Sequence, residues 1–586
     1  MFYIKPVNFK VEKSVLDTLH KQAQTSPIIR ATSTYDMWFF PKQLVAKKEV
    51  YAENHGNLIF GTGTWSYRNK TEGKALKLIL EEYDLNNLII ESELFGQYTF
   101  VLVVNNQIKI LTDSSGIFNI YKGANNIISS SFLATLYSSQ YPCKLNRNAI
   151  KEILLTGNLI SPDTLVHEIE RFYPRVEKNF LADIPITVIN AHYLDKIPKY
   201  KDEREAIEGQ INTLNDLLGR FSSLVLNNKT DIGITGGLDS RLLWACALKK
   251  WPKNTLNIYT NSRFSREDKK VLDEPISLDV ANSIGLDLKM GWMKDPKRLS
   301  KEELEKTLEV AYVFSDAHIR MHIQYFEAYN TPDFKKKVLN ESSFNLSGIG
   351  GEQYRNQERF IGSTCSGRKF IEYKTIKFVA GNAIIDGQRE LVDYIYSKSK
   401  KRVGSDKDKW THYEVKKYYN EIINGDRLGA RNNMENKLSW FLSPFAEPKV
   451  GNAAYGLIPF LTTSSAIQAK MITYLNTNLS KIRTDYGFTP SEGPSVRTNL
   501  SNLMLALTPW PLFYQVRVSR KYSNTKQQTF AQFDSNSVMH YFIDTVRNYL
   551  PEINMESLLI RPDLMPLIVN MGYFLSKEIE KGHVVE

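Results

Sequence analysis

The sequence predicts an α/β protein in two parts: a β-rich α+β segment over residues 1–200, then a parallel sheet flanked by helices over 201–586. Three observations carry that expectation. Before residue 200, short continuous or alternating apolar runs such as 58–63 and 98–104 have the length and composition of strands. After it, strand-like runs alternate with helical periodicity at the spacing of βαβ units, which favours one parallel sheet with helices on its faces. At one strand-to-helix junction, residues 232–242 read IGITGGLDSRL, with two adjacent glycines between an apolar strand and an apolar helix.

Each element has its own reason. The run 98–104 meets the polar pair Asn105-Asn106 and then the alternating residues 108–111, the pattern of a hairpin. Helical spacing of apolar residues appears over 73–83, 146–156 and 205–221. Strands are expected at 231–235, 256–259 and 286–290, with a helix over 276–284 closed by Gly285. Residues 353–450 are mostly helical in pattern, apart from the charged stretch 397–409, which is expected to be a loop.

Composition narrows the classes. At 586 residues the chain is too long for one compact core, and 42% hydrophobic with 24% charged residues is ordinary for a globular protein. The net charge of +11 comes without a long Lys/Arg block. Short clusters at 335–337 and 398–402 are expected to be solvated faces, with no nucleic acid as partner. Cys143, Cys246 and Cys365 lack metal-ligand spacing, which suits a reducing compartment. No apolar run reaches the ~18 residues of a membrane span and no signal peptide is evident, so the expected location is the cytoplasm. His318 and His322, four apart, are expected on a helix face and not at a metal.

The glycine junction carries the chemistry. Paired glycines let backbone approach a ligand that a Cβ would block, and the helix that follows aims its first N–H groups at whatever sits there. Ile234, Thr235, Gly236, Gly237, Asp239 and Ser240 thus form a candidate phosphate cradle. Asp239 would repel a phosphate unless a divalent cation stood between them, so Mg2+ and a pyrophosphate group are implied. The Walker form GxxxxGK[ST] is absent.

Residues 235–240, TGGLDS, resemble the SGGxDS motif of the PP-loop ATP pyrophosphatases, with Thr235 in place of the first serine. That resemblance implies an adenine nucleotide α-hydrolase-like domain that cleaves ATP between its α and β phosphates. Residues 344–352, FNLSGIGGE, resemble the LSGxGxDE loop of asparagine synthetases and their relatives. By that likeness Ser347, Gly348 and Gly350 join the nucleotide site. Glu352 joins Asp239 as a metal ligand, a role an oxygen-bearing side chain suits. Ile349 stands where the family commonly has an acid, and Gln353 replaces its next Glu. Residues 456–461, GLIPFL, are similar to the family's RVPFLD segment and are expected to pack. Aligning Phe488 with the family's later basic stretch puts Asp485 at its charge-stabilising lysine, which leaves Arg483 as the candidate for that role.

Four pieces of the N-terminal segment resemble the class II glutamine amidotransferase sandwich in the same order: residues 93–100, 113–121, 128–136 and 154–157. That family's nucleophile is an N-terminal cysteine. Here Phe2 follows Met1, and the first cysteine is Cys143, so the expectation is a degenerate domain without glutaminase chemistry. The layout is similar to β-lactam synthetases and lasso-peptide cyclases. The implied activity is an ATP- and Mg2+-dependent, AMP-forming amide ligase with Asp239, Ser240, Glu352 and Arg483 as catalytic candidates. Its substrate would be a small molecule or peptide carrying a carboxylate and an amine. Ammonia-dependent asparagine synthesis and a non-catalytic nucleotide-binding scaffold stand as alternatives.

Overall fold

In the computed structural model, the described residues are 1–86, 93–113, 116–173, 186–190, 197–262, 273–292, 300–318, 344–356, 364–376, 387–462, 464–507, 537–556 and 565–585. They form a mixed α/β protein with several sheets, including a five-stranded parallel one.

The N-terminal strands are β1 (Phe2–Pro6), β2 (Ile28–Ala31), β3 (Tyr35–Phe39), β4 (Tyr51–Asn54), β5 (Asn57–Tyr67), β6 (Leu94–Val104), β7 (Gln107–Thr112), β8 (Tyr121–Lys122), β9 (Ile128–Ser129), β10 (Glu170–Arg171) and β11 (Ile186–Asn190). One sheet runs β10-β8-β9-β1-β3-β2 and the other β11-β7-β6-β5-β4. The expected hairpin joins β6 to β7: Asn105 (φ 51°) and Asn106 (φ 63°) both take the left-handed conformation that asparagine tolerates. Val104 pairs with Gln107 beside them. Phe39 and Phe60 stack at 4.8 Å and join the two sheets in one core. Helices α1 (Glu72–Asn86) and α2 (Arg147–Thr156) lie where helical spacing placed them. Asn146 caps α2 through Ala149 N–H, and Gly157 (φ 67°) closes it.

After helix α3 (Glu203–Arg220) come β12 (Thr230–Gly233), α4 (Leu238–Lys250), β13 (Leu256–Ser262), α5 (Asp273–Ile284), β14 (Leu288–Trp292), β15 (Phe344–Leu346) and, later, β16 (Trp440–Leu442). They pair, all parallel, in the order β14-β13-β12-β15-β16. The order therefore reverses direction between β12 and β15. In open sheets of this kind a crevice forms beyond the carboxyl ends at that reversal. Both glycine-rich loops leave the sheet there.

Three expectations need correction or qualification. Of the expected loop 397–409, residues 397–403 are helical: helix α6 (Gln388–Val403) includes them and ends at Gly404 (φ 66°). Its buried face runs through Leu391, Val392, Ile395, Ser399, Arg402 and Val403. That is helical spacing, concealed in the sequence because Ser399 and Arg402 occupy inward positions. The 398–402 cluster is therefore not a solvated face at either end. Lys398 is held 2.5 Å from both Glu152 and Asp163, and Arg402 is buried. His318 lies beyond the end of helix Lys301–Phe314, while His322 and residues 335–337 fall outside the described residues.

Residues 456–461 pack as expected. Leu457 is fully buried, and a Cβ on Gly456 would stand 2.6 Å from the Pro198 carbonyl. Among the described residues no helix is long and apolar enough to cross a membrane.

Candidate active site

The first loop leaves β12 with Ile234 buried, its N–H donating to the Tyr259 carbonyl at 2.8 Å. The chain then turns on its own hydroxyl groups. Ser240 Oγ accepts from the Thr235 N–H at 3.1 Å and lies 3.1 Å from Thr235 Oγ1, which accepts from Gly237 N–H at 3.3 Å. Gly237 is the N-cap of α4 and gives it no side-chain cap, so the positive end of the helix is left for another anion. A Cβ on Gly237 would meet only Thr235 Oγ1, at an ordinary 3.5 Å. The protein itself does not require glycine there; a ligand lying on the backbone would.

The second loop leaves β15 one strand away. Ser347 N–H donates to Leu442 O at 3.0 Å, tying the loop to β16, and Ser347 Oγ accepts from Ile349 N–H at 3.4 Å. Gly350 (φ 93°) holds a conformation that strongly favours glycine. Two other glycines let the loops touch. A Cβ on Gly348 would stand 2.8 Å from Ser240 N, and one on Gly351 2.7 Å from Asp239 Cγ. Glu352, next along, is the second residue of a tight 3-10 turn over Gly351–Tyr354. Gln353 anchors the turn by donating to Phe445 O at 2.8 Å, and Lys416 donates to Gln353 O at 3.1 Å and to Arg355 O.

Asp239 is where these parts converge. Its Oδ1 accepts from Gln468 Nε2 at 2.6 Å, and its Oδ2 accepts from Arg355. Burial pushes its carboxyl up to about 6; Arg355 opposes that shift and Glu352 adds to it. The two acids sit on one rim and feel each other's charge. A quarter of the Asp239 side chain (25%) remains open to solvent, so the carboxylate is accessible.

A third segment closes the crevice. Arg241, buried on α4, donates to the carbonyls of Ile482 and Arg483, the latter at 3.1 Å. Asp485 N–H donates to Gly236 O at 3.0 Å. Tyr486 OH accepts from Arg355 Nη1 at 2.8 Å. Of the residues singled out in the sequence, Ile234, Thr235, Gly236, Gly237, Asp239, Ser240, Ser347, Gly348, Gly350 and Glu352 are thus brought together. Arg483 contributes its backbone, and its exposed side chain lies toward Gly487.

Three further contributors are not among the residues singled out in the sequence: Arg355, Gln468 and Tyr486. Arg355 follows Glu352 by three positions, and that was the one local signal available. No protein-family model and no curated protein matches the chain.

The donor set bears on magnesium. Among the described residues no group of three or more His, Cys, Asp and Glu converges, the arrangement an all-protein metal cage would need. Mg2+ bound beside phosphates asks for less: one or two carboxylates, the rest of its shell coming from phosphate and water. Asp239 and Glu352 fit that requirement.

Proposed function

We propose that the protein is an ATP-dependent, AMP- and pyrophosphate-forming amide ligase built on an asparagine synthetase-like plan. The observation that carries the proposal is the convergence of Asp239 and the Glu352 turn from adjacent parallel-strand ends, beside an uncapped helix N-terminus. Asp239 and Glu352 would hold Mg2+, which when bound neutralises phosphate charge. The backbone of Gly236 and Gly237 lets the pyrophosphate portion of ATP lie against the N-terminus of α4, with Thr235 and Ser240 shaping the turn. A substrate carboxylate attacks the α-phosphorus, pyrophosphate leaves toward that helix end, and an amine attacks the acyl-adenylate to release AMP. Stabilising charge on the departing group and holding the reactants in line are the contributions asked of the protein.

The N-terminal two-sheet unit reads as an amidotransferase-type domain without glutaminase chemistry. Strand β1 carries Phe2 fully buried, and none of the three cysteines lies on it. Burial also pushes up the thiols of Cys143 and Cys246, away from the thiolate a nucleophile needs. The amine then comes from the substrate or from solution.

The test is ATP–pyrophosphate exchange with the purified protein against a panel of amino acids, peptides and acidic sugars. At least one carboxylate should support exchange, and Asp239→Ala should lower the rate at least a hundredfold with an unchanged circular dichroism spectrum. Absence of exchange with every carboxylate, alongside measurable ATP binding, would favour a nucleotide-binding scaffold.

A further inference from the structure

The residue that holds Asp239 is a cation three positions beyond Glu352. Arg355 reaches back across the crevice, with one arm of its guanidinium on Asp239 Oδ2 and the other on Tyr486 OH at 2.8 Å. Only 11% of its side chain is exposed. Among the described residues its Nε–H has no hydrogen-bond partner. One edge of the fork is therefore half used, in a position that faces the carboxylate proposed to hold the metal.

A guanidinium on a half-buried carboxylate does what a divalent cation would do there: it offsets the charge of Asp239 beside Glu352. The two cations compete for the same oxygen. Were magnesium and pyrophosphate to arrive together, Asp239 would take the metal and the guanidinium would be left within reach of a new anion. Arg is suited to that exchange, because its planar fork binds phosphate oxygens through two parallel N–H groups. Tyr486 keeps one arm in place and limits how far the head group moves. Lys416, bonded to the Arg355 carbonyl, fixes the backbone on which the side chain turns.

We propose that Arg355 is a cation switch: it pairs with Asp239 while the site lacks metal, and transfers to the pyrophosphate group when Asp239 takes up Mg2+. It supplies the positive charge on the leaving group from the second loop. The exposed side chain of Arg483 lies toward Gly487, not on Asp239. The inference rests on the ligase reading for the identity of the phosphate ligand.

The experiment is isothermal titration of the full chain with Mg2+ alone and with magnesium pyrophosphate, for wild type, Arg355→Met, Arg355→Lys and Arg483→Met. Removing the switch should move the two affinities in opposite directions. Arg355→Met should bind Mg2+ alone at least tenfold more tightly and magnesium pyrophosphate at least tenfold more weakly. Arg355→Lys should fall between it and wild type, and Arg483→Met should shift neither more than threefold. Damage to the loop would weaken both affinities together, so that result, or an unchanged pyrophosphate affinity, would overturn the role given to Arg355. If wild type still catalyses exchange in that case, the ligase reading stands without it. Opposed shifts with no exchange for any carboxylate would keep the switch and remove the ligase. A wild-type protein that takes up no magnesium pyrophosphate overturns both.

Discussion

A carboxylate held between an amide and a guanidinium can be a structural knot or a working ligand, and Asp239 has marks of the second. A quarter of its side chain is exposed, and beside the Arg355 guanidinium the charge of a second acid, Glu352, also acts on it. His412, at the start of the helix His412–Lys417, is pushed down from 6.5 to about 4, first by burial and then by the charge of Lys416. Unfolded, the same imidazole takes a proton near 6.5. The unfolded chain thus binds more protons between pH 6.5 and 4, and stability falls as pH drops through that window, by up to about 1.4 kcal/mol per pH unit. Urea midpoints at pH 7 and pH 5 check this. His412→Gln, which cannot titrate, should lose less stability between the two than wild type; an equal loss would remove His412 as a source of acid sensitivity.

At the scale of an element, the two glycine loops differ in what their glycines are for. Gly348 meets the backbone of the other loop, and a Cβ there stands 2.8 Å from Ser240 N. Backbone cannot rotate aside as a side chain can, so Gly348→Ala forces the loops apart. Gly237 has room for a methyl group. Gly237→Ala costs the folded protein only the N-cap preference, less than about 1 kcal/mol, but it puts a methyl where the pyrophosphate portion of ATP is proposed to lie. Thermal melting and magnesium pyrophosphate titration should separate the two variants. Gly348→Ala should lower both stability and affinity, whereas Gly237→Ala should lower affinity tenfold or more with little change in melting temperature. Unaltered affinity in Gly237→Ala would mean that the ligand does not lie on that turn.

Across the whole molecule, the N-terminal sheets and the parallel sheet share one core. Trp65 on β5 meets Trp440 on β16 edge to face at 4.9 Å. Gln97, fully buried on β6, donates to Ser443 O at 2.7 Å and accepts from Ser443 N–H at 3.0 Å and Asn432 Nδ2 at 2.7 Å. Thr64 on β5 accepts from the Phe441 N–H at 3.0 Å. Backbone groups of β16 and the turn after it thus find partners on the other unit, and leaving them unpaired costs roughly 1–3 kcal/mol per group. Gln97→Ala should therefore destabilise the chain by about 2–4 kcal/mol in a single unfolding transition, read by urea denaturation with both fluorescence and circular dichroism. Two transitions, with only one shifted, would show that the units unfold independently.

What the sequence determined by itself was local: the Asn105-Asn106 hairpin, the strand-glycine-helix junction at 232–242, and the helices capped by Asn146 and ended by Gly285. Each follows from backbone preferences or apolar spacing within one turn or strand pair, forces that neighbours along the chain suffice to set. The parallel sheet was legible for the same reason, since alternating strands and helices leave few ways to bury their apolar faces. Helix α6 was missed because Ser399 and Arg402 face inward, and what they face is supplied by distant chain. The partners of Asp239 were beyond the sequence as well. Arg355 and Gln468 lie 116 and 229 positions away; beyond the spacing of Arg355 from Glu352, nothing local encodes the meeting, which the tertiary fold brings about.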